Sequence, residues 1–332
     1  MKPEAGLSLP FHGPRDTSRI IRDRIETLSQ EVASGLTSDP GRALKSDFSD
    51  VSRLSHQLRN LDAFHESIAV ATSWGAAIQV SLAQIGEASA RLGNQLGSSL
   101  SVVGDTDFGI ASGFAEGVAR DIGNALGRTF AGRALFGNGS ALDVTPSAEA
   151  VLADIAAIAG TATDFDSYVA AVDGYFADGG PFETTHLGAL PVGSTEFPVD
   201  DGETARFDLD AGNIEIRSAF KQAVLVAGLA HAGFQLSGEA RSDAVVELKR
   251  RSAGVTSDLP LLQGRIGAVE ERLGILAERT MIARQDSEIA LSDRLSVDPY
   301  DAATRLQNEL SRLESLYAIT ARRSRLRLTD YL

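Results

Sequence analysis

The sequence predicts a mainly α protein: a long helical-bundle or coiled-coil rod formed by the N- and C-terminal segments, with a small inserted α+β domain. Three observations carry this. Apolar residues recur at alternating spacings of three and four near both ends of the chain. Aromatics make up only 6%, which suits helix-on-helix packing better than a β-sandwich. Proline and glycine concentrate in the middle, where short alternating runs replace the helical period.

Taken in order, residues 1–16 contain Pro3, Pro10 and Pro14 and read as irregular. Thr17 or Ser18 can cap a helix carrying Ile21, Ile25, Leu28 and Val32, which Ser34-Gly35 ends. Asp39-Pro40-Gly41 is a turn. A long helix is expected over 43–96, with the stripe Val51, Leu54, Leu58, Leu61, His65 and Ile68, then Gly75, Ile78, Leu82, Ile85, Ser89, Leu92 and Leu96. The alternation slips between Ile68 and Gly75, as at a coiled-coil discontinuity. Some 50 helical residues would span ~75 Å. A Gly- and Ser-rich connection, 93–109, leads to a helix over 111–135.

The middle, 137–214, reads as two helices, 147–159 and 164–177, followed by strands at 185–190, 195–199 and 204–209. Helices resume at Ile216 and over 240–256. Leu259-Pro260 reads as the start of another, with Ile266, Val269, Leu273 and Leu276 and, further along, Ile282 and Ile289. Asp298-Pro299 breaks the chain before a last helix bearing Ala303, Leu306, Leu310, Leu313, Tyr317 and Thr320. Three divisions are therefore expected: 1–40 with 299–332 as terminal assembly helices, 41–136 with 215–298 as a helical rod core, and 137–214 as an inserted variable α+β domain. An apolar stripe needs another helix to cover it, so the N- and C-terminal helices are expected to pack together.

The formal net charge of −14 repels phosphate backbones and argues against nucleic acid as a partner. The acidic run Asp200, Asp201, Glu203, Asp208 and Asp210 reads as a solvated face. Arg322, Arg323, Arg325 and Arg327 close the last helix, where cations suit the macrodipole. The chain has no cysteine, which removes disulfides, thiolate catalysis and Cys-based zinc. No stretch reads as a signal peptide or as a membrane span.

Catalytic patterns are lacking. There is no phosphate loop, dinucleotide fingerprint or nucleophile elbow. His12, His56, His65, His186 and His231 are never three or four residues apart. His65-Glu66 lacks a second histidine for a zinc motif, and His65 reads as a seam residue. Asp105 and Asp107 lack the further oxygen ligands of a calcium loop. Asn138-Gly139-Ser140 fits a glycosylation sequon but reads as a turn. The expectation is therefore no enzyme, no cofactor and no metal.

Four segments resemble the flagellin/hook-associated superfamily, and within it the hook–filament junction proteins (the third type of hook-associated protein). They are Leu28 to Gly35 followed by Asp39-Pro40-Gly41, Gly132-Arg133-Ala134-Leu135-Phe136-Gly137, Ile216 to Leu229, and Asp298 to Leu332. The ending Leu328-Thr329-Asp330-Tyr331-Leu332 is closer to the junction proteins than to filament flagellins. The link Leu36-Thr37-Ser38 is shorter than the family's. The resemblance implies a structural adaptor, exported unfolded without a cleaved signal peptide to the extracellular flagellum. Its implied partners are the first hook-associated protein, flagellin, an export chaperone and further copies of itself. The alternative it leaves open is a flagellin-type filament subunit. The implied assembly and chaperone interface comprises Ile21, Ile25, Leu28, Val32, Leu306, Leu310, Leu313, Tyr317, Leu326, Leu328, Tyr331 and Leu332.

Overall fold

The computed structural model describes residues 14–44, 47–99, 106–137, 146–187 and 194–329, with side chains from Asp16 to Arg322 except at positions 42, 43, 99, 106 and 107. The described chain is mainly α. Its helices are α1 (Pro14–Ser34), the single turn α2 (Pro40–Ala43), α3 (Ser49–Ser99), α4 (Thr106–Leu126), α5 (Ala148–Thr161), α6 (Phe165–Tyr175), α7 (Ile214–Gly228), α8 (Gly238–Leu295) and α9 (Pro299–Thr329). Two short hairpins, β1–β2 (Thr129–Phe130, Arg133–Ala134) and β3–β4 (Thr195–Asp200, Glu203–Phe207), a π-helical turn (Phe182–Leu187) and a 3-10 turn (Leu229–His231) accompany them.

Packing divides the chain into two compact units: residues 1–62 with 282–332, and residues 63–281. The inserted segment does not separate as a third. Its buried Val151, Tyr168, Phe182 and Phe207 join one apolar cluster with Ile78 and Leu82 of α3, Ile122 of α4 and Phe220 of α7. This follows from the sequence of α7, which is buried almost all round from Gln222 to Gly228. A helix apolar on every side must be covered on every side, and α4 and α5 do this.

Within the 63–281 unit, α3 buries the expected line Ile78, Leu82, Ile85, Leu92 and Leu96. It runs antiparallel to α8: Gln79 Nε2 donates to the Gln263 carbonyl at 3.0 Å and to Glu270 at 3.2 Å, while Gly93 faces Ser252. Trp74 sits where the stripe slips. It is 2% exposed, with Phe130 edge-on and Phe197 tilted, both at 6.0 Å, and Arg133 over its ring at 5.5 Å. One stretch of α3 is long and apolar enough, by length and composition, to cross a membrane, contrary to the sequence reading. In the 63–281 unit that helix buries Ile68, Trp74, Ile78, Leu82 and Ile85 in the core, while Val70 and Val80 face outward.

Several expectations are corrected. The fourth helix ends at Leu126, not near 135, because Ala131 and Gly132 take positive φ (50° and 77°) and fold 129–134 into a hairpin. Residues 182–187 form a π-helical turn, not a strand; positions 188–190 of that expected strand lie outside the described residues. The strands expected at 195–199 and 204–209 form as Thr195–Asp200 and Glu203–Phe207, the second ending two residues early, in antiparallel register around Asp201-Gly202 with Gly202 at φ +73°. Pro260 starts no helix; it lies inside α8. It forfeits one backbone bond, but Leu259 and Leu262, at 2% and 1% exposure, hold both sides of it to the same core.

Along α8 the buried line does not continue through Ile282 and Ile289, which are 51% and 52% exposed. Thr280 and Ser287 are the buried positions instead. His65 is exposed rather than packed on its stripe. Asp105, the side chain of Asp107, His12 and the Asn138 sequon lie outside the described residues.

Candidate assembly surface

The unit made from the two ends of the chain is built on α1 and α9. Gly35 ends α1 with φ +71°, its N–H donating to the Glu31 carbonyl at 2.9 Å. That left-handed residue is what glycine tolerates best. Asp298 starts α9: its Oδ1 accepts from the N–H of Tyr300 at 2.8 Å and of Asp301 at 3.3 Å. Pro299 occupies the first helical position, where its missing N–H costs nothing. The Asp-Pro read from sequence as a break is thus a helix cap.

Between these ends the backbone clasps itself. The Thr37 N–H donates to the Leu295 carbonyl at 2.8 Å and the Val297 N–H to the Gly35 carbonyl at 2.9 Å, around a Leu36–Ser296 bridge. Glu31, 9% exposed, accepts from the Ser38 N–H at 2.7 Å and so fixes the link that follows α1. From the clasp, α1 and α9 run side by side and antiparallel. Arg24 meets Glu309 at 3.6 Å, and Arg312 reaches the same Glu309 oxygen at 3.4 Å. The other Glu309 oxygen is buried without a hydrogen-bond partner among the described atoms. A polar groove of about 770 Å³ follows this pair, lined in part by Arg24, Glu31, Asp298, Asp301 and Glu309.

The expected interface residues divide by exposure. Ile21 is buried, and Ile25, Leu28, Leu306 and Leu313 are half-buried. Val32, Leu310 and Tyr317 remain 39%, 43% and 49% exposed. All eight lie on the two stripes read from the sequence; at 100° per residue, Leu306, Leu310, Leu313 and Tyr317 fall within about 60° of arc. The seam is therefore only partly covered. The backbones of Leu326 and Leu328 lie in α9; their side chains, and Tyr331 and Leu332 entirely, are outside the described residues.

The spacing placed Ala303 on the seam, whereas Ala302, part of the Asp298 to Leu332 resemblance, is the buried residue at 3% exposure; the Glu31 carboxylate was missed. Ala302 has a signal in hindsight: it stands four residues before Leu306, as Ala303 stands three before it. Nothing local marks Glu31. No known protein family and no curated protein matches the sequence.

Proposed function

We propose that this chain is a structural adaptor of the bacterial flagellum, joining a hook-associated protein to the flagellin filament and assembling through its paired terminal helices. The observation that carries the reading is the half-covered α1–α9 seam. A pair that leaves Val32, Leu310 and Tyr317 open on a stripe otherwise buried or half-buried gains when a further helix closes it. Burying one such side chain fully yields about 1.5–3 kcal/mol, so part of that remains available to each contact in an assembly.

The coiled-coil rod belongs to the same proposal. The alternation of three and four in α3, with Ile78, Leu82 and Ile85 packed and α8 antiparallel beside it, supports seam packing of these helices. The proposed role is structural and not catalytic, and its place of work is outside the cell. The partners are the neighbouring axial proteins and an export chaperone that shields the open seam beforehand.

The test is deletion of the gene and, separately, of residues 299–332, followed by electron microscopy of the cell surface. Hooks without filaments, with flagellin shed into the medium, support the adaptor. Loss of the filament subunit itself points to a flagellin. Normal filaments in both strains refute the proposal.

A further inference from the structure

We propose that the π-helical turn Phe182–Leu187 is a proton-sensitive lid, fastened to α5 when His186 is protonated and loosened when it is not. The turn covers an aromatic cluster. Phe182 is 1% exposed and packs on Phe176 at 4.6 Å and on Phe220 at 5.9 Å, ring centre to ring centre. Leu187, at 1% exposure, closes the other end of the turn. A π-helical turn is a costly local geometry that persists only where side chains hold it.

His186 supplies that hold. Its Nε2 lies 2.9 Å from Asp154 Oδ2 on α5, and the same carboxylate oxygen accepts the Tyr175 hydroxyl of α6 at 2.8 Å. The imidazole side chain is only 10% exposed, and the Tyr175 ring stands 6.1 Å from it. The other charges around the turn are paired away from the ring. Glu183 accepts from the Gly179 N–H and lies 4.0 Å from Arg217 of α7, which also binds Asp178 at 2.6 Å.

Of the three joined groups, two keep their charge across neutral pH. Burial and the neighbouring carboxylate push the Tyr175 hydroxyl far up, so it stays a donor. The hydrogen bond from His186 chiefly holds the Asp154 carboxyl below its usual value, so it stays an acceptor. The imidazole is the one member of a type that changes charge between pH 5 and 8. Protonated, it adds the attraction of opposite charges to a bond that the Asp154 carboxylate already strengthens. Deprotonated, the turn keeps its apolar packing but loses that bond's ionic part, and Phe182 and Leu187 are uncovered more often.

Hydrogen exchange of the full-length protein, read by mass spectrometry at pH 5.5 and pH 8 and corrected with an unstructured reference peptide, tests this. The amides of 182–187 should exchange roughly three- to tenfold faster at the higher pH, while those of Phe220–Leu229 serve as the fixed control. His186→Gln keeps a donor toward Asp154 but no titration, so the pH dependence should vanish. Its persistence in that variant overturns the proposal, as does a wild-type ratio of one. NMR titration of His186 in the unmodified protein is the second measure, independent of how the variant folds. Amide signals of 182–187 that shift together with the ring support the lid, and amides that do not follow it overturn it.

Discussion

Gly228 is the last residue of α7 and sits against α5 and α6 with no room for a side chain. A Cβ added there would stand 2.2 Å from the Tyr168 hydroxyl and 2.8 Å from Ile155 Cγ2. Gly228 has ordinary helical dihedrals, φ −66° and ψ −18°, so Gly228→Ala carries no backbone penalty; the conflict is one of space. The hydroxyl cannot retreat freely. It is fully buried and donates to the Leu225 carbonyl at 2.8 Å. That carbonyl lies in the final turn of α7, where helical partners run out. Moving the ring breaks the bond, at about 1–3 kcal/mol for the group left unmatched. Overpacking adds about 1–3 kcal/mol, and alanine returns up to about 1 kcal/mol of helix propensity. The expected net loss is about 3 kcal/mol. Tyr168→Phe alone should cost about 1 kcal/mol, yet it removes the nearer of the two clashing atoms, leaving the ring carbon at 3.2 Å and only the Ile155 methyl to shift. The double variant should therefore lose less than the sum of the singles, by at least about 1 kcal/mol. Urea unfolding followed by circular dichroism and by the fluorescence of Trp74, the only tryptophan, measures all three. Additive losses, or a neutral Gly228→Ala, would refute the packing account.

Asp173 joins α6 to α7 and α8, accepting from Lys221 at 2.9 Å and bidentately from Arg251 at 2.9 and 2.8 Å. Burial pushes its carboxyl up, but the bonds from Arg251 and Lys221 prevail and bring it to about 2. A depressed carboxyl stabilises above its unfolded value, near 3.9, and loses that contribution as pH falls from about 5 to about 2. With the side chain 37% exposed, screening reduces this to about 1–1.5 kcal/mol; Asp173→Asn should flatten the acid limb of a stability–pH curve by that amount, and an unchanged limb would contradict it. Gly35→Ala should cost about 1 kcal/mol by strain alone, since nothing lies within 4 Å of its Cβ. Gly35→Asn, which tolerates the left-handed region, should recover most of this in thermal unfolding; equal losses for both would point to another cause. Leu310→Asp should change monomer stability by no more than about 0.5 kcal/mol, because the site is already exposed, while abolishing incorporation into filaments. Normal incorporation would remove Leu310 from the assembly surface.

Much of the helical layout was legible because periodicity and caps agree in those places. Asp164 is flanked so clearly that its capping box with Ser167 coincides with the helix start read from the pattern. Pro299 and Gly35 likewise mark real ends. The misses have physical sources. Pro260 looks like a boundary locally, and only the burial of Leu259 and Leu262 by other elements keeps the helix whole. The run Gly127 to Gly137 is apolar enough to extend a helix, and the positive φ at Ala131 is decided by tertiary packing, not by propensity. On the candidate surface, spacing identified the stripe but not its cover. Ile21 and Val32 read alike in sequence, and only the position of α9 makes one buried and the other open.

The clasp joins Thr37 to Leu295 and Gly35 to Val297, residues from opposite ends of the polypeptide, and this sets an order of events in folding. Closing a loop of about 250 flexible residues costs roughly 5 kcal/mol of chain entropy before any contact repays it. Once residues 63–281 have condensed, the antiparallel course of α3 and α8 within that unit has already met most of that cost. The terminal unit should therefore form last and open first. Pulse-labelled hydrogen exchange during refolding should show α7 amides protected before those of α1.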